Sequence, residues 1–377
     1  MLGIKSPIGI TLGVSDTTQV TFSGDKKQAF TQSRNPDFTD DVQEIFAHNR
    51  SNLQACPDLK LKAVYSTSRA SAESLANKPE VDVFYDDPKQ EARSLDALLD
   101  RDDVQAVTIA LPVSVQPKII YRALKAGKHV LSERPTASTV DIVEGLLNWY
   151  DAQDDMALWS VGERSRFIEP ILYGRHVLKG MKGSVQTFGL RLHGMVDERN
   201  MMHNTVWRRN AVQDGGLLLD GGMHFVATLR FLLSAIDESI TRVVAFPGLA
   251  RQELSPRDTL SALIRISNGN SGLFSISYGT RFSNVFDIHI VTDEGSVIVT
   301  PTTVNVATSG ENKTKFPETR TFQRENGRNR ELAVFAKGIE NGHIEARGDP
   351  RQSLMDLKVT HAIFQSAKEG GSLQDIV

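Results

Sequence analysis

The sequence contains very little cysteine, since Cys56 is the only one among 377 residues. A single cysteine excludes an intrachain disulfide framework and is typical of proteins kept in a reducing compartment. The chain also lacks any run of about eighteen consecutive apolar residues, which a membrane-spanning helix requires. Its first residues lack the basic segment and long apolar core of a secretory signal. We therefore expect a cytoplasmic protein that is neither secreted nor inserted in a membrane.

The chain carries no large excess of charge of either sign. It has 43 Lys and Arg against 46 Asp and Glu, a formal net charge of −3. No block of Lys and Arg is long enough to bind nucleic acid or an anionic membrane, so neither is an expected partner. With 40% hydrophobic and 24% charged residues, the composition suits a globular protein of about two domains.

The most informative stretch runs from Val104 to Pro135. Val107–Leu111 is a short apolar run with β-branched residues, which predicts a buried strand. Val115–Ala126 carries a helical apolar stripe, and Gly127 follows where a helix favours a left-handed residue. His129–Leu131 predicts a second buried strand, so the stretch is one βαβ unit. Ligands of such sheets bind at the carboxyl ends of the strands.

Those strand ends carry a recognisable pattern. ALPVSVQP follows the first strand and AGKHVLSERP includes the second, and both resemble the Gfo/Idh/MocA family of glucose-fructose oxidoreductase and inositol dehydrogenase. The family's hallmark at the second strand end is Glu-Lys-Pro, and Arg134 stands where the lysine usually lies. Further motifs recur in the family's order, so the resemblance covers most of the chain from about Ile45 onward.

The resemblance and the element pattern together predict an α/β protein of two domains. Residues 1–150 would form a Rossmann domain with a doubly wound parallel sheet, and further strands are expected at Lys60–Ser66, Val81–Tyr85 and Ala157–Val161. Residues 151–377 would form an α+β domain with a large, mostly antiparallel, open-faced sheet and closing helices within 330–370. In relatives the open face makes oligomer contacts, which implies a homodimer or homotetramer.

The glycine-rich turn of a dinucleotide fold is missing after the first predicted strand, Ile8–Gly13. Residues 14–44 are polar and without sustained period, so about thirty residues are inserted into the phosphate-binding turn. Three interpretations remain open. The insertion is a translated stretch foreign to the mature message, a loop that abolishes cofactor binding, or a loop that leaves Gly13 near the pyrophosphate.

The end of the second strand bears on the choice of cofactor. NAD-selective folds place an acidic residue there, whereas this chain has Ser66-Thr67-Ser68-Arg69. Hydroxyls and a guanidinium suit a 2′-phosphate, which favours NADP with NAD as the alternative. In the other interpretation Ser68 caps the next helix and Arg69 lies in solvent. The resemblance adds further candidates, so the cofactor-binding set is Gly13, Ser66, Ser68, Arg69, Leu111, Pro112, Gln116, Glu133 and Trp207.

The strongest chemical signal is QDGGLLLDGGMH, which ends at His224 and resembles the family's G-G-x-x-x-D-x-G-x-H. On a helix Asp220 and His224 share a face, and a carboxylate beside a histidine can fix its tautomer. An isolated pair at this spacing would be ordinary, but here it follows Glu133-Arg134-Pro135 and Trp207-Arg208. We predict His224 as acid/base, Asp220 as its orienting carboxylate and Arg134 as a clamp, because a guanidinium is a poor proton acceptor. No metal is expected, since no further His or Cys cluster accompanies the pair.

Two functions remain in competition. The first is an NAD(P)-dependent oxidoreductase that moves a hydride between nicotinamide and a carbonyl or secondary alcohol of a sugar, polyol or small cyclic metabolite. The second is a redox-inactive relative, either a cofactor-free isomerase or cyclase or a binding protein. The interrupted turn and Arg134 favour the second hypothesis, whereas the ordered motifs favour the first.

Overall fold

The computed structural model describes residues 8–14, 56–76, 80–181, 183–196, 216–308 and 318–377. The chain divides into two compact units. The first consists of Met1–Gly162 with Arg328–Leu354, and the second of Glu163–Gly327 with Met355–Val377. Each unit is built around its own sheet.

The first unit contains a six-stranded parallel sheet in the order β3-β2-β1-β4-β5-β6. The strands are β1 (Ile8–Val14), β2 (Leu59–Ser66), β3 (Asp82–Tyr85), β4 (Ala106–Ile109), β5 (His129–Ser132) and β6 (Trp159–Val161). Helices α1 (Arg69–Ala76), α2 (Leu95–Leu99), α3 (Gln116–Lys125) and α4 (Val140–Asp151) alternate with them. The predicted doubly wound parallel sheet is confirmed.

The βαβ unit predicted from Val104–Pro135 is present as β4, α3 and β5. All four residues of β4 are buried, as expected of a strand covered on both faces. Gly127 follows α3 with φ of +73°, the left-handed conformation that ends many helices. The predicted strand, helix, closing glycine and second strand of this unit are therefore confirmed.

Strand β1 occupies the centre of the sheet and pairs in parallel with both β2 and β4. Gly13 lies within this strand, next to Tyr65 of β2 and Ile109 of β4. Because the chain winds in opposite directions from this point, β1 and β4 flank the switch point at which doubly wound sheets bind ligands. The inserted residues that follow Val14 lie outside the described residues.

The second unit begins with a turn at Arg164–Phe167 and helix α5 (Glu169–Met181), followed later by α6 (Gly216–Leu233). Its nine-stranded sheet has the order β14-β13-β12-β11-β7-β10-β9-β8-β15. The strands are β7 (Val185–His193), β8 (Ile240–Gly248), β9 (Thr259–Ile266), β10 (Ser271–Ser277), β11 (Val285–Thr292), β12 (Gly295–Val299), β13 (Thr303–Thr308), β14 (Glu318–Thr321) and β15 (Gln374–Asp375). Among these described strands β7 and β10 pair in parallel and the other pairs are antiparallel.

One face of the second sheet is covered and the other is open. Alternate residues of β9, Leu260, Ala262, Ile264 and Ile266, are buried in the unit's main core cluster. Leu263 of β9 and Leu273 of β10 lie opposite each other on the other face, and both are exposed. The predicted mostly antiparallel, open-faced sheet is confirmed.

The two closing helices are α7 (Arg328–Asn341) and α8 (Pro350–Lys368). Leu332, Phe335 and Ala336 of α7 belong to the core cluster of the first unit. Val359 and Ile363 of α8 belong to that of the second unit. The first unit is therefore built from two separate stretches of the sequence.

The division of the chain differs from the predicted boundary near residue 150. The first unit continues through Gly162 because β6 completes its parallel sheet beside β5. It also includes Arg328–Leu354, which the prediction assigned to the second domain. The sequence pattern gives no sign of this return, since α7 is an ordinary amphipathic helix.

Two glycines in helix α5 should respond in opposite ways to alanine. A Cβ on Gly174 would lie 2.6 Å from Val299 Cγ2, whereas one on Gly180 would meet nothing within 4 Å. We expect Gly180→Ala to stabilise the protein by about 0.5–1 kcal/mol through helix propensity. Gly174→Ala should destabilise it by about 1–3 kcal/mol through overpacking. Urea unfolding of the two variants makes the comparison, and equal effects would contradict the close packing of α5 on β12.

Candidate functional site

Gln116 organises the strand end that carries Arg134. It lies at the start of α3, its exposed fraction is 1%, and its Nε2 donates to the carbonyls of Glu133 at 2.8 Å and Pro135 at 2.9 Å. A turn from Pro112 leads into α3, since the Pro112 carbonyl accepts from the N–H groups of Val115 and Gln116. Gln116 is thus a buried side chain that shapes the strand end.

Glu133 directly follows β5 and belongs to an ion cluster of the first unit. Arg328, at the start of α7, donates through Nη2 to Glu133 Oε1 and through Nη1 to Glu331 Oε2. Gly162 permits this approach, because a Cβ there would lie 3.1 Å from Arg328 Nη1. Arg134 comes next in the chain and is half-buried. Sequence analysis missed Arg328 because it lies 195 residues from Glu133 and no local spacing relates them.

The end of β2 has a helix cap and an exposed ion pair. The Ser68 hydroxyl accepts from the Ser71 N–H at 3.3 Å, so the capping role considered for Ser68 is present. Arg69 Nε donates to Glu73 Oε1 at 2.7 Å, and the Arg69 side chain is 63% exposed. The guanidinium also lies over the Tyr85 ring, 5.7 Å from its centroid. Arg69 therefore borders solvent at the carboxyl end of β2.

The carboxyl edge of the first sheet fits a polar ligand such as a dinucleotide. Six buried side-chain atoms have no hydrogen-bond partner within the described part of the chain, and Ser66 Oγ, Thr108 Oγ1 and Gln116 Oε1 are three of them. These three atoms lie at the end of β2, in β4 and at the start of α3, that is, on or next to the strands that flank the switch point. Leu111 and Pro112 are half-buried in the same stretch. Since buried polar groups are normally paired, unpaired ones mark places where a ligand or water can bind.

In the second unit, His224 has a buried carboxylate partner. His224 lies on α6, and its Nδ1 is 2.8 Å from Glu163 Oε1 and 3.0 Å from Oε2. The Glu163 side chain is 2% exposed and that of His224 is 29% exposed. The Ser165 N–H also donates to Glu163 Oε1, at 3.1 Å. The pair therefore presents a solvent-accessible imidazole backed by a fixed carboxylate.

A second buried carboxylate, Asp356 of α8, lies close to this pair. Arg166 Nη2 donates to Asp356 Oδ2 at 2.5 Å, and Arg230 Nη1 donates to Oδ1. Burial raises the pKa of the Asp356 carboxyl; the two guanidinium charges oppose that rise, and the charge of Glu163 adds to it. Two carboxylates and two guanidinium groups therefore share one buried environment.

The other predicted catalytic residue of this unit is less fully described. Asp220 lies on α6, one turn before His224, as the sequence pattern predicts, but its side chain is outside the described residues. Trp207, Arg208 and the residues from Gln213 to Gly215 are also outside them. Sequence analysis missed Glu163, since it lies 61 residues before His224 and no motif relates the two.

A comparison with known families agrees with the folds of both units. Residues 42–160 match the oxidoreductase family model with an NAD-binding Rossmann fold. Residues 178–374 match the model of its C-terminal alpha/beta domain. The chain belongs to the Gfo/Idh/MocA family. By that membership it is an oxidoreductase, and the resemblance seen in the sequence is confirmed. The matched range begins at residue 42, so β1 and the start of the insertion precede it.

Relatives cover most of the chain. Dehydrogenase FPY6 of Fusarium mangiferae is 34% identical over 324 residues, which cover 85% of this chain and 93% of the relative. D-xylose 1-dehydrogenase (NADP(+)) 2 of Haloferax volcanii is 23% identical over 328 residues, covering 83% and 91%. A solved oxidoreductase structure from Thermotoga maritima has a TM-score of 0.75 at 22% identity, covering 98% of this chain and 99% of that one. This last likeness shows the fold.

None of the described helices is both long and apolar enough to cross a membrane. The same part of the chain contains no group of three or more His, Cys, Asp or Glu side chains placed to hold a metal ion.

The ion cluster around Arg328 should be sensitive to removal of its cation. Arg328→Gln removes the guanidinium charge that pairs with both Glu133 and the buried Glu331. We expect it to destabilise the protein by about 3 kcal/mol. Arg324→Gln, at an exposed arginine nearby in the sequence, is the matched control and should change stability by less than about 0.5 kcal/mol. Urea unfolding measures both, and equal effects would mean that the cluster contributes little.

Proposed function

We propose that this chain is an NADP-dependent oxidoreductase that transfers a hydride between nicotinamide and a carbonyl or secondary alcohol of a sugar, polyol or small cyclic metabolite. The observation that supports it most is the His224–Glu163 pair. A partly exposed imidazole, hydrogen-bonded to a buried carboxylate, lies on the helix that carries the family's Asp-x-x-x-His pattern.

Oxidation of a secondary alcohol requires that a hydride and a proton leave the substrate. Bound NADP would accept the hydride. In this proposal His224 accepts the hydroxyl proton and returns it in the reverse direction, which suits a group that titrates near neutral pH. Arg134 polarises a substrate oxygen, because a guanidinium keeps its charge and donates hydrogen bonds without giving up its proton. Asp220 contributes a further carboxylate to the same helix.

The preference for NADP is supported by the end of β2. This strand ends in Ser66 and is followed by Thr67, Ser68 and Arg69, with no carboxylate to bind a ribose 2′-hydroxyl. The exposed Arg69 guanidinium suits a phosphate, which arginine binds with charged, fixed donors. The Haloferax volcanii relative, whose name includes NADP(+), is in line with this choice. Gly13, Leu111, Pro112, Gln116, Glu133 and Trp207 complete the proposed cofactor-binding set.

The open face of the second sheet supports a proposal on assembly. Leu263, Leu273 and Phe246 are each at least half exposed there. We propose that this face is the contact of a homodimer or homotetramer, since exposed apolar patches commonly mark protein contacts. The single, buried Cys56 supports a reducing, cytoplasmic setting.

The cofactor proposal is tested by titrating the protein with NADPH and with NADH, following tryptophan fluorescence and energy transfer to the nicotinamide. We expect NADPH to bind more tightly. Arg69→Gln should weaken NADPH binding by about 10- to 100-fold, because a charge-assisted contact is lost, and should change NADH binding by less than about twofold. Arg93→Gln, at an exposed arginine of the same unit, is the control and should change neither.

The catalytic proposal is tested with His224→Gln. We expect kcat on a sugar or polyol substrate to fall by about 10²- to 10⁴-fold, the usual contribution of a general acid or base, while the Kd for NADPH is retained. His176→Gln, at an exposed histidine of α5, should leave kcat unchanged. Equal activity of the two variants would remove His224 from the mechanism.

The redox-inactive alternative makes different predictions. It is favoured by Arg134 in place of the family's lysine and by the interrupted phosphate turn. It predicts no binding of either cofactor and no transfer of deuterium from a 4-deuterated cofactor to any substrate. Detection of such transfer would exclude it.

A further inference from the structure

The Glu163 side chain is held by its own backbone turn as well as by its contact with His224. It immediately precedes the turn at Arg164–Phe167, and its side chain accepts from the Ser165 N–H at 3.1 Å. Its carbonyl accepts from the Arg166 N–H at 3.1 Å. The carboxylate is therefore fixed by its own backbone turn, and both of its oxygens lie within 3.0 Å of His224 Nδ1.

The charged groups around the pair come from three elements. Arg166 belongs to the turn, Arg230 lies on α6 with His224, and Asp356 lies on α8. Both arginines donate to Asp356, one to each carboxylate oxygen. The charge of Glu163 acts on Asp356 at close enough range to raise the pKa of that carboxyl. The formal charges of these four groups, two guanidinium groups and two carboxylates, cancel.

The hydrogen bond between Glu163 and His224 determines which ring nitrogen carries the hydrogen of the neutral imidazole. An ionised carboxylate can only accept, so a neutral His224 must carry its hydrogen on Nδ1. Its Nε2 then presents a lone pair. If Nε2 takes a proton, the adjacent Glu163 charge stabilises the imidazolium, and this effect is stronger in a buried environment than in water.

We propose that Glu163 is the positioning residue of the acid/base group: it fixes the His224 ring with hydrogen on Nδ1, so that Nε2 exchanges the proton with the substrate hydroxyl. This inference rests on the proposed function and gives Glu163 the orienting role that the sequence pattern assigned to Asp220. In the oxidative direction the substrate C–H bond breaks, with its hydride going to oxidised nicotinamide. The O–H proton goes to Nε2, and the carbonyl forms. Release of that proton to water restores the neutral ring.

The test compares Glu163→Gln with the unchanged protein by NMR of labelled histidine. His224→Gln identifies the His224 signals. We expect the His224 titration midpoint to fall by about one pH unit in Glu163→Gln, because the adjacent negative charge is gone. The ¹⁵N shifts should change from a single tautomer with hydrogen on Nδ1 to a mixture, since an amide can either donate or accept.

Kinetics give a second readout. We expect Glu163→Gln to lower kcat by about 10- to 100-fold, less than the loss of His224 itself, with KM nearly unchanged. The acid limb of the profile of kcat against pH should move to lower pH, in step with the His224 titration midpoint measured by NMR. Glu163→Asp keeps the charge and should restore the midpoint and part of kcat. Glu318→Gln, at an exposed glutamate of β14, is the matched control and should change nothing.

Three outcomes would overturn the inference. One is a folded Glu163→Gln variant with an unchanged His224 midpoint and tautomer. A second is a Glu163→Asp variant whose midpoint falls as far as that of Glu163→Gln. The third, which requires no variant, is a neutral His224 in the unchanged protein that carries its hydrogen on Nε2. The NMR measurements need no substrate, so they test the role of Glu163 even if the protein oxidises no alcohol. A failure to oxidise any alcohol would instead contradict the proposed function.

Discussion

Asp356 is the group on which the charged interior of the second unit depends. Its two oxygens accept hydrogen bonds from Arg166 and Arg230, so one carboxylate of α8 joins the turn at Arg164–Phe167 to α6. Burial raises the pKa of this carboxyl, and the two guanidinium charges limit that rise. Removing one partner from such a buried group is strongly destabilising. Because Glu163 and His224 lie on the two joined segments, their hydrogen bond depends on this link.

Much of the fold could be predicted because local patterns specify it. The short apolar runs at β4 and β5 and the turn at Gly127 need no distant partner to be recognised. Helix α5 was not predicted, since Gly174 and Gly180 lower its intrinsic helix propensity. In the structure Gly174 is needed where α5 packs on Val299, a reason that lies more than a hundred residues away. Tertiary packing therefore decided an element that local propensity left uncertain.

The candidate site shows the same limit more strongly. The helix that carries His224 and the strand end that carries Glu133 were predicted from motifs. Their partners Glu163 and Arg328 were not, because ion pairs across 61 and 195 residues leave no spacing pattern in the sequence. Gln116 was selected by resemblance, but no pattern in the sequence indicates its two hydrogen bonds to backbone carbonyls of the strand end. Sequence reasoning thus identified the candidate residues that lie in motifs better than the distant partners that hold them in place.

The return of α7 to the first unit has a consequence for synthesis on the ribosome. The sheet strands of that unit are complete once Gly162 has been made, but the counter-ion for Glu133, Arg328, comes 166 residues later. At about 5–20 residues per second, this interval lasts roughly 10 to 30 seconds. During that time the apolar surface that Leu332 and Phe335 later cover is exposed. The nascent first unit therefore keeps this apolar surface exposed until Arg328–Leu354, in the last eighth of the chain, has been made.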